Sequence, residues 1–295
     1  MTAPPLPMRD GVAASYLWLP EGQWPDMLAF LVERYPQVSA AQWQDRMARG
    51  EVVDGEGVVL LPGSACRRGM RIFYYRELER ETPIPFQEQI LFEDAHLVVV
   101  DKPHFLPMTP GGRFVQETLL TRLKKKLDCA ALTPIHRLDR ETAGVVIFSR
   151  RQASRGAYQT LFQRREIHKV YEALAPRLHG REFPFTYRSR MVDGDKFFIM
   201  REEAGEPNSE TIIDVIEQRG DFNLYRLQPR TGRKHQLRVH LASLGVPIVN
   251  DAFYPVALPC KEDDMSQPLQ LLARAIAFAD PLTGEMRRFE SRRSL

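Results

Sequence analysis

Along this chain of 295 residues, apolar and polar positions change their period several times, and each change predicts an element. Residues 1–26 show no sustained period; rich in Pro, Gly and Ala, they read as an irregular arm carrying Trp18 and Trp24. Met27, Leu28, Phe30, Leu31 and Val32 then begin a helix that Pro36 closes. Ser39 caps a second helix with Trp43, Met47 and Ala48, ended by Gly50. Short strand-like pieces follow at Val52-Val53, Val58–Leu61 and Met70–Tyr75. From Leu78 to Pro85 the acids and two prolines predict an exposed linker.

Beyond Phe86 the pattern is that of a larger domain, 86–295. Ile90-Leu91-Phe92, an acidic turn and Leu97–Val100 read as a hairpin feeding a buried strand. Leu119, Leu120, Leu123 and Leu127 have helical spacing within 116–127, and Val145–Phe148 is a short buried strand. Tyr158 and Phe162, at i and i+4, predict the core face of a further helix. Lys169–Ala175 alternates as a strand, with Tyr171 and Ala173 on one face. Strand pairs are expected over 183–200 and 211–227, separated by a polar loop at 201–210. Thr231 is the expected cap of a helix running to Gly245, with Leu237, Leu241 and Leu244 as its buried stripe. Leu269–Phe278 reads as a last apolar strand before the turn at Asp280–Gly284.

Composition narrows the class. Hydrophobic content of 43% and charged content of 27% suit a globular protein. Cys66, Cys129 and Cys260 are odd in number and far apart, so neither a disulfide framework nor a cysteine zinc site is expected. No secretory leader and no membrane-length apolar run is read, and the expected location is the cytoplasm. Net charge is only +3, but the basic residues are unevenly placed. Arg122, Lys124, Lys125 and Lys126 precede residues 135–144, while Arg150, Arg151, Arg155, Arg164, Arg165 and Lys169 follow it. Such runs also suit a plain solvated face, yet two of them around one stretch could hold a phosphate backbone locally.

That stretch, His136-Arg137-Leu138-Asp139-Arg140-Glu141-Thr142-Ala143-Gly144, sets one carboxylate between two guanidinium groups. An Asp so flanked is expected to be ionised at neutral pH, which suits a nucleophile or electrostatic anchor better than a general acid. A surface loop with neighbouring ion pairs is the plainer alternative. Arg238, next to the stripe of its helix, can reach inward toward a carboxylate. His235 and His240 are about 140° apart around a helix and cannot jointly chelate a metal as i, i+4 histidines do.

With Asp101-Lys102-Pro103, Lys169-Val170-Tyr171 and Gly232-Arg233-Lys234-His235-Gln236-Leu237-Arg238-Val239-His240, the Asp139 stretch makes four motifs in one order. Together they resemble the RluA-type RNA pseudouridine synthases over roughly residues 86–290. The resemblance implies an α+β fold with a mixed, largely antiparallel central sheet flanked by helices and loops. It implies Asp139 as catalytic carboxylate, Tyr171 against the target uracil, Arg238 paired with Asp139, and Arg137 filling the space left by a flipped-out nucleotide. Lys102, His136, Arg233 and His235, from the same motifs, and Leu271, as an apolar wall of the base pocket, complete the expected substrate-binding set. Two departures stand out: Ala143 replaces the usual Ser, and Leu272 replaces the His of a Leu-x-Leu-His-Ala pattern. Residues 27–77 resemble an S4-type RNA-binding module, with Ala40 and Ala41 where such modules usually carry basic residues. RNA binding and a packing-only role both stay open for it.

The expected activity is isomerisation of specific uridines in rRNA or tRNA to pseudouridine, by a monomer needing neither cofactor nor metal. An ionised Asp139 can act at the sugar, as carboxylates do at an oxocarbenium-like centre, or on the base. The target must be flipped out of its stack to be reached. The alternative from another class is an RNA-binding or chaperone protein with an idle centre. A hydrolase using His136 and Asp139 is weaker, for no Ser or Cys sits in a strand-turn setting such as GxSxG.

Overall fold

The computed structural model describes residues 5–78, 80–196, 198–258 and 264–295. The first residues of the arm, Glu79 of the expected linker and Cys260 lie outside the described residues. The chain forms two compact units. One comprises Met1–Glu81, Pro110–Gln116 and Lys124–Ala130, the other Thr82–Thr109, Glu117–Leu123 and Ala131–Leu295.

The first unit holds β1 (Ser15–Trp18), α1 (Met27–Arg34), α2 (Ala40–Ala48), β2 (Val52–Asp54) and β3 (Arg71–Tyr74). Asp26 caps α1 by accepting from the Ala29 amide at 2.8 Å, and Ser39 with Gln42 makes a reciprocal capping box on α2. The strands pair antiparallel in the order β1-β3-β2. Strand β1 lies inside the arm read as irregular. It is four residues long and alternates half-buried with exposed positions, too little apolar signal to register as a strand. Val58–Leu61, expected to be strand-like, contributes one isolated bridge, Val53 to Val59.

The remaining elements follow in chain order. They are β4 (Gln89–Glu93), β5 (Leu97–Lys102), α3 (Leu119–Leu127), β6 (Thr133–Pro134), β7 (Ala143–Ser149), α4 (Gln152–Gln163), β8 (His168–Pro176), β9 (Phe185–Asp193), β10 (Met200–Glu203), β11 (Ser209–Arg219), β12 (Phe222–Pro229), α5 (Gln236–Ser243), β13 (Leu271–Ala279) and β14 (Met286–Glu290). Among the described residues the strands form one mixed sheet, ordered β10-β9-β11-β12-β8-β13-β7-β5-β4, with β14 on β13 and β6 on β7. All its pairings are antiparallel except β13 with β7. This is the expected α+β architecture. Tyr158 and Leu161 of α4 pack on β5, β7 and β13, while Leu237 and Leu241 of α5 pack on β8, β11 and β12.

Three expectations about these elements need correction. The 201–210 loop is shorter, because β10 and β11 both extend into it. The α5 helix begins at Gln236, not after Thr231. The Thr231 hydroxyl is taken by Gln236 Oε1 at 2.7 Å and the Glu210 amide at 2.9 Å, so it cannot cap. Nor is α5 amphipathic: Gln236 through His240 and Leu241 are all buried, as for a helix covered on every side.

At the centre of the sheet Gly144 lies opposite Ala273 in the parallel pair. Its φ is +114°, and a Cβ built there would lie 2.2 Å from the Ala273 carbonyl oxygen. Both the conformation and the space demand glycine. Gly144→Ala is expected to destabilise the protein by about 3 kcal/mol or more, read as a lower urea midpoint; an unchanged midpoint would show that the strands have slack.

Candidate active site

The sheet order puts β8, β13 and β7 side by side; Asp139 lies just before β7, Leu271 opens β13, Tyr171 stands on β8, and Arg233, His235 and Arg238 lie at the entry and first turn of α5. Asp139 belongs to the loop between β6 and β7, which is pinned from several sides. The Ile135 amide donates to Ile147 O at 2.9 Å, and His136 Nε2 accepts from the Ile147 amide at 3.1 Å. The His136 ring stacks on Phe162 at 4.7 Å. Lys102, with no exposed surface, sends its ammonium to Pro103 O, Leu106 O and Arg140 O at 3.0, 2.8 and 2.9 Å. Burial pushes the Lys102 pKa down to about 7, against the pull of Glu141 and Asp139. The loop is therefore rigid beneath, while Arg137 is exposed and the Asp139 side chain retains 30% exposure.

Arg238 approaches Asp139 Oδ2 through Nη1 at 3.4 Å. Its stronger partner is Asp251, bound in a fork by Nε at 2.8 Å and Nη2 at 2.6 Å. Asp251 also accepts from the Phe253 and Tyr254 amides at 2.8 and 3.2 Å. Burial opposes the charge on Arg238, but Asp251, then Asp139 and Glu141, raise its pKa above the usual guanidinium value. A fixed cation thus faces Asp139 without spending its main hydrogen bonds there. On the other side, His235 Nε2 lies 3.7 Å from Asp139 Oδ1, while its Nδ1 bonds the Tyr254 hydroxyl at 2.9 Å.

Tyr171 on β8 packs against the cluster containing Leu271 and Leu237. Burial first, and then the charge of Asp139, push its phenol well above the ordinary range, so the hydroxyl is neutral at pH 7. Leu271, 3% exposed, pairs with Ala173 two residues along from Tyr171. Asp139, Arg238 and His235 meet directly, and Tyr171 feels the charge of Asp139. Lys102 and His136 act beneath the loop rather than in the open site. The Arg233 side chain contacts the Asn208 carbonyl at 3.4 Å and is exposed.

Asp251 and Tyr254 are the residues that sequence reading passed over. The available signal was an Asn-Asp pair after the run Val246–Val249, but nothing local ties its acid to Arg238.

His104, His136, His235 and His240 are displaced from 6.5 to about 4, 3, 4 and 4, burial leading in each case. The unfolded chain takes up these protons near pH 6.5, while the folded protein refuses them until well below. Stability is therefore full above pH 6.5 and falls between about 6.5 and 4, by on the order of 1 kcal/mol per pH unit for each group. Urea midpoints at pH 7 and pH 5 should differ accordingly; equal midpoints would mean that these imidazoles titrate normally.

A family model described as RNA pseudouridylate synthase matches residues 96–243. The dual-specificity RNA pseudouridine synthase RluA of Vibrio vulnificus is 32% identical, covering 69% of this chain and 82% of its own. The chain belongs to the RNA pseudouridylate synthase family. A Synechocystis protein described as an uncharacterized RNA pseudouridine synthase is 29% identical, covering 77% of this chain and 79% of its own. In fold, the chain superposes on human RNA Pseudouridylate Synthase Domain Containing 1 with a TM-score of 0.58 at 24% identity, covering 72% and 86% of the two chains. Pseudouridine synthases isomerise uridine in RNA, so the idle-centre alternative loses its support. Within this pseudouridine synthase the two motif departures prove to be neighbours. Ala143 and Leu272 are register partners across β7 and β13, and both are fully buried.

Among the described residues no group of three or more His, Cys, Asp or Glu is arranged to hold a metal ion. No described helix is long and apolar enough to cross a membrane.

Proposed function

We propose that this chain isomerises specific uridines of structured ribosomal or transfer RNA, with Asp139 as the catalytic carboxylate on a flipped-out nucleotide. The observation that carries the assignment is the half-open Asp139 carboxylate facing Arg238, whose own charge is locked by Asp251. In the reaction the C1′–N1 bond breaks, a C1′–C5 bond forms, the C5 proton leaves to solvent and N1 gains one. Asp139 opens it either by adding to C1′ or by taking a proton from the neighbouring sugar carbon. Arg238 faces the carboxylate at 3.4 Å in both routes. Tyr171 and Leu271 hold the detached base between a ring and an apolar wall. Addition of Asp139 to the sugar has a consequence for Tyr171: an ester carries no charge, so one of the two causes of its raised pKa disappears. The phenol then gives up its own proton to solvent more easily, and the phenolate so formed can accept the hydrogen that C5 must lose. Arg137, exposed on the loop, occupies the stack vacated by the target, and Arg233 and His235 border the entry.

The same proposal covers the organisation of the chain: an arm at 1–26, an S4-like module at 27–77, a linker at 78–85 and the catalytic domain from 86, working in the cytoplasm as a monomer. The test is tritium release. Wild-type protein incubated with C5-tritiated RNA from cells lacking it should release tritium to water as pseudouridine accumulates. RNA binding without release would point to a binding protein instead.

A further inference from the structure

A cleft of about 210 Å3 opens beside the Asp139 loop, and the steps above leave it unused. Its walls include Phe162, Arg165, Lys169, Arg230, Thr231 and Gly232. Three of these are cations. Among the described residues no carboxylate pairs with any of them, and the Lys169 ammonium finds only the Thr231 carbonyl, at 3.1 Å. Burial, and then the charge of Arg165, push the Lys169 pKa down to about 8.

The placing of these cations is built into the chain. Arg165 has a left-handed backbone, φ +59°, and its amide bonds Phe162 O at 3.2 Å, which turns the chain out of α4. At Gly232 a Cβ would stand 3.8 Å from Lys169 Nζ, so the wall there is bare backbone. Like charges gathered without an acid disfavour one another, and an anion relieves them. The cleft also touches the site described above. Phe162 carries the His136 ring, three residues before Asp139. Lys169 shares a strand face with Tyr171, about 6–7 Å along β8.

We propose that Arg165, Lys169 and Arg230 hold a backbone phosphodiester of the RNA next to the flipped uridine. The inference rests on the reading that the chain acts on RNA. It adds where the strand is gripped: a fixed anion point beside the base pocket, so that the nucleotide turns about a held phosphate. Phosphate contacts of this kind set register without reading sequence.

The test is the salt dependence of RNA binding, measured by filter retention with total RNA from cells lacking the protein. The variants are Arg165→Gln, Arg230→Gln and the double variant, all at exposed positions. The control is Arg288→Gln, an exposed arginine paired with Glu290 at 2.8 Å. Removing one phosphate-binding cation should flatten the slope of log affinity against log salt by about 0.7–0.9. The double variant should bind roughly tenfold more weakly at low salt and about equally at high salt, while the control keeps the wild-type slope. An unchanged slope in the double variant overturns the proposal. Titration with inorganic phosphate at constant ionic strength separates the sources: phosphate binding that the double variant loses, with its RNA slope intact, makes the cleft a free-anion site and also overturns it. Binding needs no turnover, so wild-type protein that binds RNA without releasing tritium counts against the reaction, and the slopes still decide the cleft.

Discussion

Asp139→Asn is expected to lower tritium release by more than about 10³-fold, equivalent to over about 4 kcal/mol of barrier, while folding and RNA binding stay near wild type. The amide has the size of the carboxylate but can neither add to C1′ nor accept the sugar proton. The side chain is 30% exposed and its contacts to Arg238 and His235 are long, 3.4 and 3.7 Å, so the fold loses little when the charge goes. Arg238 keeps both bonds to Asp251 and is not stranded. Retained turnover in this variant would remove Asp139 from the chemistry.

Asp251→Ala is expected to damage both stability and rate. Arg238 is 1% exposed, and deletion of its fork partner leaves a buried cation with no carboxylate but the long contact to Asp139, beside the Phe253 and Tyr254 rings. Breaking such a pair costs about 3–5 kcal/mol, visible as a lower urea midpoint. Freed from Asp251, the guanidinium turns toward Asp139 and ties up the carboxylate that must react, so kcat should fall by about 10²-fold or more in whatever protein stays folded. The double variant Asp251→Ala with Arg238→Met separates the two effects. It removes the stranded charge and should recover part of the stability while recovering no activity. Failure to recover stability would show that Asp251 acts through its backbone amide bonds instead.

The fold was legible wherever burial writes a strong pattern. Seven consecutive buried residues of β7, the capped pair α1 and α2, and the hairpin of β4 and β5 all follow from period and capping. Strand β1 was not, because four residues with alternating exposure carry no apolar signature. The α5 helix was half legible. Its existence shows in Leu237 and Leu241, but its start does not, since the Thr231 hydroxyl is claimed by Gln236 and Glu210 across the turn.

The site divides in the same way. The Asp139 loop announces itself through flanking charge and motif. The tie between Arg238 and Asp251 is a tertiary fact: only the fold brings those thirteen positions apart into a fork. Lys102 illustrates the limit from the other side. A lysine before a proline loop suggests a group that meets substrate, whereas its ammonium is consumed by three carbonyls beneath the loop. Sequence marks that residue but not which way it points.

The most direct measurement is a transcript-wide map of pseudouridine in cells lacking this protein, supplied with either the wild-type chain or Asp139→Asn. A small set of ribosomal or transfer RNA positions should read as uridine in the deletion, return to pseudouridine with wild type, and stay uridine with Asp139→Asn. Restoration by the Asn variant, or no position that changes, would contradict an isomerase centred on Asp139.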